Sequence, residues 1–167
     1  MKPPFWLTVF SLLAFLILVG LGLWQVKRLN WKQEILADLT AARQKLDNDK
    51  GSLPGWAALE NFDSRFRAVD LPGTLHPAEM IPIGPRSFQG AIGKHIYLPL
   101  VSPDKTVIWV FYGFAPDDGI PVAAQAEEVQ ARIRGLARRT PRPNLVTPEN
   151  EPATDTFYWP VPGEMSR

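Results

Sequence analysis

The chain carries two histidines, His76 and His95, and no cysteine. The missing thiols remove disulfides, thiol catalysis, thiolate zinc and soft thiolate copper centres together. Neither histidine has a second one at ligand spacing and no HExxH occurs, so metal-assisted hydrolysis has no constellation to rest on. His76, between Leu75 and Pro77, reads as a turn residue. His95 opens an alternating stretch on its more polar face and stays available as a haem ligand. Asp117 and Asp118 are adjacent in a loop, the pattern of a solvated turn. Ser52, Ser64, Ser87 and Ser102 lie outside GxSxG and SxxK patterns. Gly84, Gly90 and Gly93 in GPRSFQGAIG lack dinucleotide-binding spacing and the terminal Lys-Ser/Thr of a P-loop, and read as loop glycines. The expectation is a protein that is not an enzyme. An enzyme working through Asp117 or His95 would need a substrate that these residues do not suggest.

Arg132, Arg134, Arg138, Arg139 and Arg142 place five guanidinium groups within eleven positions. Arg132 and Arg134 share a strand face, where forked donors suit porphyrin propionates or anionic lipid headgroups. A solvated face balanced by acids is the plainer reading. His95, Arg132 and Arg134 are therefore the candidates for cofactor contact. Across the chain 18 basic and 17 acidic side chains nearly cancel, which argues against nucleic acid as a partner. Trp6, Trp24 and Trp31 suit a membrane interface, Trp109 a core, and Trp56 and Trp159 either a core or a partner. Trp24, Gln25, Arg28, Trp31 and Lys32 form a cluster that reads as an interfacial anchor or as a surface for a partner membrane protein.

Few elements position these residues. Phe5 to Trp24 runs 20 residues without a charge, enough to cross a hydrocarbon core of about 30 Å. The run exceeds a signal-peptide core and no A-x-A site follows it. An uncleaved single-pass anchor over residues 5–24, after a short tail at 1–4, is therefore expected. Lys2 precedes the run and Lys27, Arg28 and Lys32 follow it, so a positive-inside count leans toward a cytoplasmic main domain. Residues 25–46 carry Val26, Leu29, Ile35, Leu36, Leu39 and Leu46 near helical spacing and predict an amphipathic juxtamembrane helix, in which Glu34 and Asp38 repel. DNDKGSLP at 47–54 stops it.

Residues 55–167 predict a β-rich domain. Its first parts are a strand after Arg65, a turn at Pro72-Gly73 and an extended piece from Leu75 to Ile83. A strand follows at Lys94 to Val101, with Pro99 marking an edge or bulge. Ser102 to Lys105 turns into Thr106 to Gly113, the most buried-looking strand. A short helix in Val122 to Gln130, a strand over Val129 to Leu136, a proline-rich loop from Arg138 to Pro152 and an extended Thr156 to Trp159 complete it. The fold class is α+β: an N-terminal transmembrane helix followed by a small antiparallel β-rich domain, sandwich- or barrel-like.

Several blocks stand in a definite order: Gly22 to Lys32 (GLWQVKRLNWK), Arg67 to Leu75 (RAVDLPGTL), Gly93 to Leu100 (GKHIYLPL), Ile108 to Pro116, Ile133 to Leu136 (IRGL), Pro143-Asn144 and Phe157 to Trp159 (FYW). In that order they resemble the SURF1 family of cytochrome c oxidase assembly factors. The resemblance implies a non-catalytic role in oxidase biogenesis, assisting haem a insertion or stabilising subunit I. Subunit I or its haem-insertion machinery and membrane lipid are the implied partners, and haem a a transient ligand. It also implies an extracytoplasmic domain, periplasmic on a bacterial inner (plasma) membrane in preference to the mitochondrial one, against the charge count. Two departures stand out. Tyr112-Gly113-Phe114 occupies the place of the family's Arg-Gly-Trp turn, and the chain reaches Arg167 without the family's C-terminal transmembrane helix. The histidine linked with haem in some bacterial members belongs to that helix, so no residue here inherits its role. The alternative expectation is a generic single-pass, membrane-anchored periplasmic protein-interaction module.

Overall fold

The computed structural model describes residues 4–49, 51, 53–60, 64–117, 127–140 and 147–165. The apolar run and the juxtamembrane segment form one unbroken helix, α1 (Phe5–Asn48), about 66 Å long. No proline or glycine-rich turn separates them, and the helix ends where DNDKGSLP begins to supply turn formers. Its N-terminal part is long and apolar enough to cross a membrane. Toward its other end Ala42 is buried and Ile35, Leu39 and Leu46 are half-buried. These positions repeat at four- and three-residue steps on one helix face. That differs from the predicted apolar face, because Val26, Leu29 and Leu36 stay exposed. The small Ala42 side chain lets α1 approach the sheet closely. Glu34 and Asp38 do not simply repel: Arg65 reaches both, with its Nη atoms 3.9 Å from Glu34 Oε2 and 3.5 Å from Asp38 Oδ2.

After the short helix α2 (Ala57–Glu60), strands β1 (Phe66–Leu75), β2 (Ile81–Phe88), β3 (Ala91–Val101), β4 (Val107–Pro116) and β5 (Val129–Arg138) form one antiparallel sheet, and α3 (Pro162–Met165) closes the described chain. β3 is the spine. β4 pairs along one edge, from Gly93 opposite Pro116 to Val101 opposite Val107. On the other edge β2 pairs as far as Ile81 opposite Tyr97, and β1 takes over at Leu75 opposite Leu100. β1 pairs with β5 along its whole length.

Strand alternation builds the core. Ile96, Leu98 and Leu100 are at most 1% exposed on one face of β3. Val69, Leu71 and Leu100 gather Trp56 and Leu59, Ile108 and Val110 of β4, and Ile133 of β5. β4 and β5 stand at opposite ends of the strand order yet share this core, so the sheet is curled. Among the described residues no ladder joins them into a closed barrel. On the outer face Ile81, Ile83, Phe157 and Met165 cluster with Tyr97 and Trp109.

Several sequence expectations need correcting. Pro72-Gly73 is not a turn, because β1 runs through it. Gly73 lies where β1 meets β3, and a Cβ there would stand 2.6 Å from the Val101 carbonyl oxygen. Pro99 is buried in the central strand instead of at an edge, at the point where β3 changes partner. Its carbonyl accepts the His76 N–H at 3.1 Å. A strand residue's N and C=O point to the same side, so the missing N–H falls in the gap between β2 and β1. GPRSFQGAIG is mostly strand; only Gln89 and Gly90, with φ of 51° and 85°, turn the chain, as a two-residue hairpin requires. β4 buries only Ala115, because it is an edge strand. Tyr112-Gly113-Phe114 is bulged strand and not a turn: Ile96 pairs with Gly113 but Tyr97 with Phe111. Val129 and Gln130 belong to β5, and residues 122–126 of the predicted helix lie outside the described residues. Thr156 to Trp159 makes isolated bridges, Glu151 to Thr156 and Ile83 to Phe157, instead of a strand.

Candidate functional site

Alternation along β3 sends His95 and Tyr97 to the outer face, opposite the core-lining Ile96 and Leu98. In a regular strand, residues three apart point to opposite faces. The bulge at Tyr112 adds one residue, so Phe111 and Phe114 both turn toward His95. Their ring centroids lie 4.9 Å and 6.3 Å from the imidazole, both edge-on. Phe88 meets Phe114 at 5.5 Å and Tyr97 meets Phe111 at 5.6 Å, both tilted, so five rings run across β2, β3 and β4. Burial, and then the Arg86 guanidinium, hold His95 below its ordinary 6.5. Burial pushes the Tyr97 hydroxyl above its ordinary range, against Arg138 and Arg86. Phe88, Phe111 and Tyr112 remain open to solvent.

The lower end of this face is covered by the C-terminal segment, held by two residues that sequence reasoning missed. Arg86 Nη2 donates to the Tyr158 carbonyl at 2.7 Å. Asn150 Oδ1 accepts the backbone N–H of Tyr158 and Trp159 at 2.8 and 3.0 Å, while Nδ2 donates to the Trp159 carbonyl at 3.0 Å and to Glu164 Oε2 at 2.6 Å. Asn150 stands in a run of turn formers, a signal for side-chain bonding to backbone. Nothing local marked Arg86.

Arg132 and Arg134 do share a face of β5, and their acid lies across the ladder. Asp70 pairs opposite Arg134, with Arg132 two residues away. Arg132 Nε is 2.7 Å from Asp70 Oδ1 and Arg134 Nε 3.8 Å from Oδ2. The Asp70 hydrogen bond raises Arg132 further above its ordinary value. Arg134 Nη2 also donates to the carbonyls of Leu46 and Asp49 at 3.1 and 3.3 Å, satisfying oxygens at the end of α1. His95 sits on β3, with β1 between it and β5, and both arginines are engaged. The arginines thus meet Asp70 and the end of α1, while His95 meets the aromatic rings of β4.

His76 occupies a turn, with Nδ1 3.1 Å from Glu128 Oε1 and 4.0 Å from Glu79 Oε1. Among the described residues no group of three or more His, Cys, Asp and Glu side chains gathers as metal ligands would. Ser102 Oγ accepts the Thr106 N–H at 3.0 Å and shapes the β3–β4 hairpin. The Asp117 N–H donates to the Ile92 carbonyl; Asp118 and Arg142 lie outside the described residues. On α1, Gln25 and Lys32 are exposed, Arg28 stands 5.3 Å over the Trp24 ring, and Trp31 and Lys27 help to line a shallow groove with Leu23, Val26, Asn30 and Glu34.

The SURF1 family model matches residues 12–167. A SURF1-like protein of Monosiga brevicollis is 32% identical over 155 residues, covering 84% of this chain and 58% of that protein. A SURF1-like protein of Dictyostelium discoideum is 25% identical over 186 residues, covering 90% of this chain and 66% of that protein. The cytochrome oxidase assembly protein SHY1 of Saccharomyces cerevisiae is 36% identical over 86 residues, 50% of this chain and 21% of that protein. The chain thus spans 58% and 66% of the length of the first two relatives. No solved structure matches it. One family model covers most of α1 and the whole sheet together, and on that extent the chain belongs to the SURF1 family.

Proposed function

We propose that this chain is a non-catalytic, membrane-anchored factor for the assembly of cytochrome c oxidase. Its sheet stands outside the cytoplasm, in the periplasm of a bacterial inner membrane, where it assists subunit I while haem a enters. The observation that carries this reading is the family match over residues 12–167, supported by a yeast relative whose name states oxidase assembly. The geometry agrees with a binding role: a sheet packed on the end of the apolar helix presents an aromatic row with Phe88 and Phe111 open to solvent. Haem a is handled as cargo, without assigned ligands in this chain. The test is affinity capture of the tagged chain from detergent-solubilised membranes of cells making the oxidase. Recovery of subunit I, with loss of assembled oxidase when the gene is deleted, is the expected result. A clean preparation without subunit I, together with normal oxidase in the deletion strain, overturns the reading and leaves a general interaction module.

A further inference from the structure

We propose that Trp24, Lys27, Arg28, Trp31 and Lys32 form a docking surface for anionic phospholipid headgroups beneath the sheet. Trp24, Arg28 and Trp31 continue, at four- and three-residue steps, the helix stripe that further along packs Ile35, Leu39, Ala42 and Leu46 against the sheet. The upper half of the stripe is covered. The lower half is open, with Trp24 54% and Trp31 52% exposed. Arg65 and Arg134 join the sheet to α1 along the covered half, so the open half lies between the sheet contact and the apolar run.

Charge selects the occupant. Between Trp24 and Gln33 the chain has three cations and no acid, and the next acid, Glu34, faces Arg65. Lys27 and Arg28 lie about 5 Å beyond the apolar run, at headgroup depth. Arg28 holds its guanidinium carbon 5.3 Å from the Trp24 ring centroid, and its forked donors suit phosphate oxygens. Neutral headgroups would accommodate the indoles but leave three cations without counter-charge. Anionic headgroups satisfy both.

The inference rests on Phe5 to Trp24 spanning the bilayer and is independent of the oxidase reading. The test reconstitutes the full chain in phosphatidylcholine vesicles carrying traces of spin-labelled phosphatidylglycerol or spin-labelled phosphatidylcholine. The motionally restricted fraction of each label is compared. Phosphatidylglycerol is expected to associate about fivefold more strongly or better, with the preference falling to parity in Lys27→Gln/Arg28→Gln/Lys32→Gln and unchanged in Lys94→Gln on β3. Alkaline carbonate extraction reports separately on the span. A protein released by carbonate defeats the spanning reading and the inference with it. A retained protein with equal association of the two lipids, or a preference that survives the triple substitution, overturns the headgroup surface alone.

Discussion

Asp70 and Arg132 meet across the β1–β5 ladder with Nε 2.7 Å from Oδ1. The carboxylate is the sheltered partner, 9% exposed against 71% for the guanidinium, and it also faces Arg134. Removing the acid leaves two cations facing each other without counter-charge, whereas removing Arg132 leaves Asp70 near Arg134. Asp70→Ala is therefore expected to lower the melting temperature more than Arg132→Gln, with the double variant less than additive. Circular dichroism melts of the four proteins check the order.

Glycine positions separate tight contact from open space. At Gly73 a Cβ meets the Val101 carbonyl oxygen, and at Gly93 it meets the Ala115 carbonyl oxygen and the Phe114 ring, while Gly113 has nothing nearby. Backbone cannot give way as a flexible side chain does. Gly73→Ala and Gly93→Ala are expected to cost about 1–3 kcal/mol, and Gly113→Ala less than about 0.5 kcal/mol, read from denaturant unfolding.

His95 makes stability depend on pH in a defined direction. Its folded value is held below 6.5, so protonation favours the unfolded chain. The contribution is complete above 6.5 and is lost as pH falls through the folded value. His95→Phe is expected to flatten the decline in stability between about pH 7 and about pH 5, while leaving the neutral-pH melt within a few degrees.

Trp109 carries an indole Nε1–H that is buried without a partner among the described residues. An unsatisfied buried donor costs about 1–3 kcal/mol, while the ring still packs on Ile81, Ile83, Phe157 and Met165. Trp109→Phe is therefore expected to leave stability unchanged or raise it by about 1 kcal/mol. A loss above about 2 kcal/mol would show that the lost ring volume outweighs the unpaired donor.

Ala42 tests the join between α1 and the sheet. It is 5% exposed, and a long charged side chain there cannot be accommodated without moving the sheet. Ala42→Arg is expected to leave α1 helical but speed tryptic cleavage at Arg65 severalfold.

What the sequence showed was whatever short-range pattern controls. The alternation of Ile96, Leu98 and Leu100 and the strand start after Arg65 are local, and each is where the residues placed it, while the helix expected to end at Leu46 runs on to Asn48. Pro72-Gly73 misleads because the same dipeptide serves a turn or a close crossing, and only the position of Val101 decides. The partnership of Asp70 with Arg132 depends on strand pairing across 62 positions, which no local spacing encodes. The convergence of Phe111 and Phe114 on His95 needed the Tyr112 bulge, a register shift visible only once β3 and β4 are side by side. Arg86 escaped notice for the same reason: its partner, the Tyr158 carbonyl, lies 72 positions away.

The continuity of α1 has a mechanical meaning. A helix without a break between its apolar run and the sheet leaves no hinge between the two. Any partner that fixes the rotation of the Phe5 to Trp24 segment also fixes the compass direction in which the Phe88–Phe111 row looks out. Contacts at the two ends of α1 become one aiming event, set by a single angle about its axis.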